Sequence, residues 1–323
     1  MRSARLVLAS LALLGAAGCS DLSLRPAGAG ATRVELVDTP FFPQEQYQCG
    51  PAALATVLVA TGIATDADAL VPEVYLPARK GSLQAELLAA TRRHARLPYV
   101  IDRDPAALLA ELDAGHPVLV LQNFGSRGHP VWHYAVVIGY EGDRGRFILR
   151  SGTTRRQELA ARRFLATWQR ADRWGFIALR PGELPAHADA ARYLRAASDL
   201  EATAQPQAAA RSYAAAVARW PEQPLAWFAF AGARLDEGQP GAAEDAYRRV
   251  LALDPLHVAA RNNLALLLAK RGCHDLASQE IERARAEAAG RPLADEVAAS
   301  MQEIAALRTT VRAAPPAQCV WQN

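Results

Sequence analysis

The segment Gln44–Pro51 reads QEQYQCGP, and an apolar run that begins at Ala52 follows it directly. Pro51 fits the first turn of a helix, where a missing N–H costs nothing, and Gly62 ends the run. Cys49 therefore lies at the start of a predicted helix. The macrodipole and the unpaired N–H groups at that end stabilise negative charge, so we expect a lowered thiol pKa. This placement favours a nucleophilic cysteine over a buried structural one.

A candidate base for this thiol lies far downstream, where residues 132–137 read WHYAVV. Imidazole titrates near neutrality, so it can accept the thiol proton and later return it to a leaving amine. The chain has seven histidines. His133 opens a strand of alternating and buried residues, and we favour it as the base. His129, in a glycine-rich loop, is the alternative.

The segments between these motifs mix helices and strands. Ser82 is predicted to cap a helix that runs through His94, and Asp104 with Pro105 opens another helix that Gly115 ends. Alternating and apolar runs predict further strands at 99–101, 118–122 and 174–179. They also predict a hairpin of 133–140 with 146–150.

These motifs resemble those of papain-like cysteine peptidases of the bacteriocin-processing, double-glycine-leader family. The resemblance covers residues 40–180 and rests on Gln44 to Leu58, on GHPVLV at 115–120 and on His133 to Tyr140. It implies a papain-like α+β fold with helix first and antiparallel sheet later. It also implies that Cys49 attacks a scissile carbonyl, that His133 takes the thiol proton, and that Gln44 helps to hold the oxyanion.

The sequence departs from that pattern at two positions. Gln44 lies five residues before Cys49 instead of the usual six, so Gln46 or Gln48 are alternatives. Ser151 stands where the resemblance predicts an Asp or Asn that orients the histidine. A serine can accept the imidazole N–H but cannot offset the imidazolium charge. Two functions therefore stay open: a cysteine peptidase, or a catalytically inactive scaffold of the same fold.

The first residues predict export and a lipid anchor. Arg2 and Arg5 precede an apolar stretch, and AAGC at 16–19 resembles a bacterial lipobox. We expect a signal peptide at 1–18, lipidation of Cys19, a tether at 19–39, and a periplasm-facing location, more at the outer than at the inner membrane. A plain secretory signal is the alternative. No other run approaches the ~20 apolar residues of a spanning helix.

The two remaining cysteines are predicted to form a disulfide. Cys273 and Cys319 would share an oxidising, exported compartment with the rest of the chain, and disulfides persist there. We expect their bond to fix the C-terminal tail to the last helical repeat; two unpaired thiols are the alternative. A zinc site is disfavoured because Cys273-His274 has no CxxC partner.

Beyond about residue 190 the chain is rich in alanine and repeats every 34 residues. The same residue classes recur at 209, 243 and 277 (Ala), at 213, 247 and 281 (Tyr, Tyr, Ile), and at 221 and 255 (Pro). This period resembles about three tetratricopeptide repeats in 190–288, followed by a capping helix and tail in 289–323. A generic helical bundle is the alternative. The peptidase domain is predicted at 40–182 and a linker at 183–189.

Composition excludes one class of partner and leaves the substrate open. The 36 Lys and Arg residues face 33 Asp and Glu residues along the chain, and no basic stripe indicates nucleic acid. We expect no cofactor, a peptide or protein substrate at Cys49, and a protein partner on the helical repeats. Acyl transfer to an amine instead of water is a further possibility for the same thiol chemistry.

Overall fold

The cysteine-bearing segment forms helix α1 (Cys49–Ala60) in a computed structural model that describes residues 32–45, 48–315 and 319. The predicted signal peptide and Cys19 lie outside these ranges, as does Gln46. Residues 50–58 of α1 are buried on every side, as expected for a helix that is apolar all round. The chain leaves the helix at Gly62, whose φ of +90° is a conformation that glycine adopts without strain.

Helix α1 packs against a seven-stranded antiparallel sheet. The strands are β1 (Arg33–Glu35), β2 (Leu97–Val100), β3 (Val118–Asn123), β4 (Trp132–Glu141), β5 (Arg146–Ser151), β6 (Thr154–Ala160) and β7 (Gly175–Leu179). Their order is β2-β7-β3-β4-β5-β6, with β1 paired to β4. Strand β1 lies inside the stretch predicted as a tether, because Arg33–Glu35 pairs with Gly139–Glu141.

The predicted hairpin forms between β4 and β5 and determines the position of the candidate base. Val137 pairs with Leu149 and Glu141 with Arg146, with a register shift between Val137 and Gly139. Because the two strands are antiparallel, the first residues of β4 lie beside the last residues of β5. His133 and Ser151 therefore meet at one end of the sheet.

The described residues of the N-terminal part form four more α-helices: α2 (Ala67–Val74), α3 (Gln84–Arg93), α4 (Pro105–Asp113) and α5 (Ala161–Gln169). The Asp104 side chain caps α4 as predicted, by accepting a hydrogen bond from the Ala106 N–H. The prediction for Ser82 is wrong. Helix α3 begins at Gln84 with Leu83 in the capping position, and Ser82 instead packs so closely on Gly50 that a Cβ there would overlap it.

Six helices then follow with the predicted period. They are α6 (Ala190–Ala202), α7 (Pro206–Arg219), α8 (Pro224–Asp236), α9 (Pro240–Leu253), α10 (Val258–Lys270) and α11 (His274–Ala288). Every second helix starts 34 residues after its counterpart, and the buried alanines at 209, 243 and 277 have no exposed surface. Helix α12 (Ala294–Thr310) packs against α10 and α11. A disulfide joins Cys273 to Cys319, whose Cα atoms lie 5.5 Å apart.

The sheet and the helical run share one hydrophobic core. Tyr99 and Leu179 of the sheet belong to the same buried cluster as Tyr193 and Ala197 of α6. Segment 183–189 also makes specific contacts, since the Tyr99 hydroxyl donates to the His187 carbonyl at 3.1 Å and accepts from the Asp189 N–H at 3.1 Å. Residues between the two parts are therefore packed against both.

His116 links α4 to this junction through two carboxylates. Its Nδ1 lies 2.7 Å from Glu111 Oε2 and its Nε2 lies 3.3 Å from Glu183 Oε1. Burial lowers the pKa of the imidazole, but the two carboxylates outweigh burial and raise it to about 9. The protonated histidine therefore holds Glu183 of the junction to Glu111 of α4.

We expect the stabilising effect of His116 to depend on pH. Because the folded-state pKa exceeds the ordinary value of 6.5, the contribution is complete below about pH 6.5 and is lost as pH rises through about 9. Wild type should exceed His116→Gln by about 2–3 kcal/mol in unfolding free energy at pH 6 and by much less at pH 10. Urea denaturation at both pH values measures the difference. An equal gap at pH 6 and pH 10 would contradict the charged bridge.

Candidate active site

Cys49 is the first residue of α1, and its thiol is free and partly buried. Burial raises the pKa of the thiol, and hydrogen bonds from the backbone N–H groups of Tyr134, Cys49 and Gly50 offset only part of that effect. The sequence-based expectation of a lowered pKa is therefore wrong. The helix terminus supplies its donors as expected, but desolvation by the surrounding apolar residues is larger.

His133 is the second residue of β4, and its ring lies between an aromatic side chain and a hydroxyl. The Phe124 ring centroid is 5.4 Å from the imidazole centroid, and His133 Nε2 is 2.9 Å from Ser151 Oγ. Burial lowers the pKa of the imidazole. With its Nε2 bonded to Ser151, the ring has Nδ1 left for a second partner.

The structure brings the thiol and this histidine to one cleft. The sulfur accepts a hydrogen bond from the N–H of Tyr134, which belongs to the peptide bond that joins His133 to Tyr134. Cys49 and His133 both line a cleft of about 790 Å³. Tyr134 holds the cleft wall in place, because its hydroxyl donates to the Ser82 carbonyl at 3.2 Å.

Gln44 lies beside Cys49 in the same cleft. Its backbone N–H donates to the Gly152 carbonyl at 3.1 Å, which anchors it next to the end of β5. Its side-chain Oε1 is buried and has no hydrogen-bond partner among the described residues. Of the alternatives, Gln48 takes the position that precedes α1 and does not line the cleft, and Gln46 lies outside the described residues.

Arg150 also supports the site, although it was not among the residues predicted from the sequence. Its guanidinium is buried and donates to three backbone carbonyls: Thr39 at 2.8 and 3.0 Å, Val37 at 3.0 Å and Arg155 at 2.6 Å. These bonds hold the chain that leads to Gln44 against β5. The sequence signal that could have identified Arg150 is its position as a charged residue directly after the apolar run Phe147–Leu149.

The other candidates from the sequence lie elsewhere. His129 is exposed in the loop between β3 and β4 and does not line the cleft. Within the described ranges, no three His, Cys, Asp or Glu side chains cluster as a metal site would require. In the same ranges no helix is both long enough and apolar enough to cross a bilayer.

The two pKa shifts predict how the thiol reacts with alkylating agents. A raised thiol pKa and a lowered imidazole pKa leave both groups neutral near pH 7, so thiolate forms only in alkaline solution. We expect the rate of Cys49 alkylation by iodoacetamide to be still rising at pH 9, as followed by mass spectrometry of the Cys49 peptide. A rate that is already constant between pH 5 and pH 7 would instead reveal a thiolate–imidazolium pair at rest.

The comparison with known families matches the N-terminal part of the chain. Residues 36–175 match the Peptidase_C39 like family. The matched range is less than half of the 323-residue chain, and it includes Gln44, Cys49, His133 and Ser151. The chain therefore has an N-terminal α+β domain with the antiparallel sheet of C39-like peptidases, followed by a run of helices consistent with helical repeats. The predicted fold class is confirmed.

Solved structures with similarity to the chain include two peptidases. A putative C39-like peptidase from Bacillus anthracis is 16% identical, with 46% of this chain and 98% of that chain covered and a TM-score of 0.38. The peptidase domain of Streptococcus ComA, a bifunctional ABC transporter, is 21% identical, with 44% and 99% covered and a TM-score of 0.37.

A secretion chaperone is also similar to part of the chain. The type III secretion translocator chaperone SycD of Yersinia enterocolitica is 14% identical, with 37% of this chain and 83% of that chain covered and a TM-score of 0.35. No curated protein matches the chain at a significant level.

Proposed function

We propose that this protein is a cysteine peptidase that hydrolyses a peptide bond with Cys49 as nucleophile and His133 as general base. One observation carries the proposal. The Cys49 sulfur accepts a hydrogen bond from the peptide N–H between His133 and Tyr134, while His133 Nε2 is hydrogen-bonded to Ser151. With Nε2 engaged by Ser151, Nδ1 is the ring nitrogen that remains to take the thiol proton, and both side chains line one cleft.

In the first half of the reaction the Cys49 thiol becomes acylated. His133 Nδ1 accepts the thiol proton as Sγ attacks the scissile carbonyl carbon, and the carbonyl oxygen becomes an oxyanion. The Cys49 backbone N–H and the Gln44 side-chain amide donate hydrogen bonds to that oxygen. The C–N bond then breaks, the imidazolium gives its proton to the departing amine, and a thioester remains on Cys49.

In the second half water releases the product. His133 removes a proton from a water molecule, whose oxygen attacks the thioester carbonyl carbon. The C–S bond breaks, the sulfur recovers its proton from the imidazolium, and a carboxylic acid leaves. An amine in place of water would form a new amide, so analysis of the products distinguishes hydrolysis from acyl transfer.

Ser151 in this scheme orients His133 without a charge, which yields a testable effect. Ser151→Asp places a carboxylate on Nε2–H, and its charge should raise the imidazole pKa and stabilise the imidazolium. We expect kcat/KM at pH 7 to rise about tenfold, because the imidazolium forms in both halves of the reaction. Ser151→Asn is the matched control for size and should give no such gain. Equal rates for the Asp and Asn variants would show that charge at this position is irrelevant.

The proposal is tested with an electrophilic peptide probe on the full-length protein near neutral pH. The wild type should be labelled at Cys49 and should hydrolyse peptides, and Cys49→Ala should do neither. Labelling of wild type and Cys49→Ala to the same extent would exclude Cys49 as the nucleophile.

A catalytically inactive scaffold is the second candidate, and two observations favour it. Ser151 occupies the position of the orienting acid, and burial raises the thiol pKa. A scaffold binds its polypeptide equally well with Cys49 or with alanine at that position, and it shows no Cys49-dependent labelling.

We also propose that helices α6–α11 are tetratricopeptide repeats that hold a protein partner. The 34-residue spacing of the helix starts supports this, as do the buried Ala and Tyr positions that recur with it. A photo-crosslinking residue at Leu225, which is half exposed on α8, should trap a polypeptide in cells. Equal yields from Leu225 and from exposed positions outside the repeats would contradict it.

The proposed cellular location rests on the sequence of the first nineteen residues. We propose that the chain is exported and that Cys19 carries acyl chains that anchor it in the cell envelope, at the periplasmic side of the outer membrane. The basic start, the apolar stretch and AAGC at 16–19 support this. Cys19→Ala should move the protein from the detergent phase to the aqueous phase. Unchanged partitioning would indicate that Cys19 is not the anchor.

A further inference from the structure

The cleft around Cys49 carries an excess of positive charge. Arg79, Lys80 and Arg103 line it, whereas Asp172 is the one carboxylate among its described lining residues. The chain as a whole is nearly balanced, with 36 basic and 33 acidic side chains. The charge of the cleft is therefore a local property and indicates what the cleft binds.

The basic groups are held on short, fixed segments. Residues 76–81 form a closed loop, in which the Leu76 N–H donates to the Gly81 carbonyl at 2.8 Å. Lys80 in this loop has a φ of +47°, and Asp172 on another wall has a φ of +52°; such values are uncommon for residues with a side chain and cluster at ligand sites. Arg173 donates to the Arg103 carbonyl at 3.3 Å and restrains that turn.

Arg79 and Arg103 have no acidic partner in the part of the chain that the structure describes. In the ranges 32–45, 48–315 and 319, neither guanidinium lies within ion-pair distance of a carboxylate. Some other exposed arginines do have such partners; Arg156, for example, contacts Glu35 at 2.7 Å. Two guanidinium groups that face a cleft without an internal counter-ion leave charge to be matched by a ligand.

The same cleft also has an apolar rim. Leu83, Val131 and Trp132 line it and remain 40%, 57% and 53% exposed. Large apolar side chains that stay in water around a site indicate a binding surface, and tryptophan is the residue type that most often dominates such contacts.

We propose that the substrate segment is an acidic peptide that also carries a large apolar side chain. Carboxylates of the peptide pair with Arg79 and Arg103, and the apolar side chain packs on Trp132 and its neighbours. The inference rests on the proposed function, because it names the substrate class of the same cleft. It assigns specificity to three residues outside the catalytic group.

Binding is measured with the Cys49→Ala protein, so that turnover does not interfere. Three fluorescent peptide series share one apolar residue and differ only in two neighbouring positions, which are Glu, Gln or Lys. We expect the Glu peptides to bind about tenfold more tightly than the Gln peptides and the Lys peptides to bind most weakly. The Glu preference should shrink between 50 and 300 mM salt, because salt screens exposed charge pairs.

Two variants test which residues cause the preference for Glu peptides. Arg79→Gln combined with Arg103→Gln should reduce the Glu-to-Gln ratio to less than about twofold, and Trp132→Ala should weaken all three series alike. Arg195→Gln is the matched control, since Arg195 is an exposed arginine of α6 outside the cleft. Equal binding of Glu and Gln peptides, a preference that survives in the double variant, or no binding by any series would overturn the proposal.

Failure of the acidic-peptide proposal can be distinguished from failure of the proposed peptidase function. If wild type binds Glu peptides selectively but never cleaves them, the peptidase proposal fails and the acidic-peptide site stands. If wild type cleaves Glu, Gln and Lys peptides with equal kcat/KM, the peptidase proposal stands and the charge selectivity fails.

Discussion

Replacing His133 with alanine is expected to lower kcat/KM for peptide hydrolysis by about 10²–10⁴, the usual contribution of a general acid–base group. The loss should appear mainly in kcat, because the imidazole moves protons in the transition state and contributes less to holding the substrate. Both halves of the proposed reaction use the same imidazole. The variant should therefore also release product slowly, and an acyl-enzyme should accumulate only if the first half is less affected than the second.

His129→Ala is the matched control, because His129 lies exposed in the preceding loop and does not line the cleft. Its kcat/KM should equal that of the wild type. The pH profile gives a second readout. Activity needs His133 as free base and Cys49 as thiol, so the acidic limb should lie below the ordinary imidazole pKa of 6.5 and the alkaline limb above the ordinary thiol value of 9.0. A narrow profile centred on pH 6 would contradict a neutral resting pair.

Replacing Arg150 with methionine is expected to reduce the unfolding free energy by about 3–5 kcal/mol, because hydrogen bonds from a charged donor contribute about 1.5–3 kcal/mol each and losses at one site are not additive. The carbonyls of Val37, Thr39 and Arg155 would all lose their donor, and Thr39 is buried. Thermal unfolding followed by circular dichroism should show a midpoint lower by roughly 10 °C. Peptide hydrolysis should also fall, since the segment before Gln44 loses its attachment to β5.

Two further variants test whether the effect depends on the shape of the Arg150 side chain, on its positive charge, or on its place in the hairpin. Arg150→Lys keeps the positive charge, but one ammonium group cannot reach all three carbonyls that the planar guanidinium contacts. We therefore expect an intermediate loss of unfolding free energy. Arg144→Met alters an exposed arginine of the same hairpin and should change stability by less than about 0.5 kcal/mol. A loss below 1 kcal/mol for Arg150→Met would show that water replaces the guanidinium at these carbonyls.

The parts of the site that follow from local sequence could be predicted. A cysteine one residue before Gly-Pro fixes its place at a helix start, and alternating residues after His133 fix the strand and its partner. Antiparallel pairing then brings Ser151 to His133 without further information. The β6 strand and helix α5 were not foreseen, because TRRQELA is polar at the sheet edge and the start of α5 has no side-chain cap.

Properties that depend on the surroundings could not be read from the sequence. The helix start predicted a lowered thiol pKa, yet burial by residues from distant segments raises it. Serine is a residue type that often caps a helix, but the position of Ser82 is determined by its packing against Gly50. The 34-residue period predicted the helices well, since each repeat is a local unit, whereas the contacts of 183–189 with Tyr99 join residues almost ninety positions apart.

The common core of the sheet and the first helices fixes the direction in which the helical run extends from the cleft. Tyr193 and Ala197 cannot slide over Tyr99 and Leu179 without opening a void, so the run does not swing as a domain on a flexible tether would. A polypeptide bound to those helices, as proposed above, would therefore meet Cys49 from a fixed direction and at a fixed distance. Its effective concentration at the thiol would then depend on the number of helices it spans, and the insertion of a whole 34-residue unit would change which of its peptide bonds reaches Cys49.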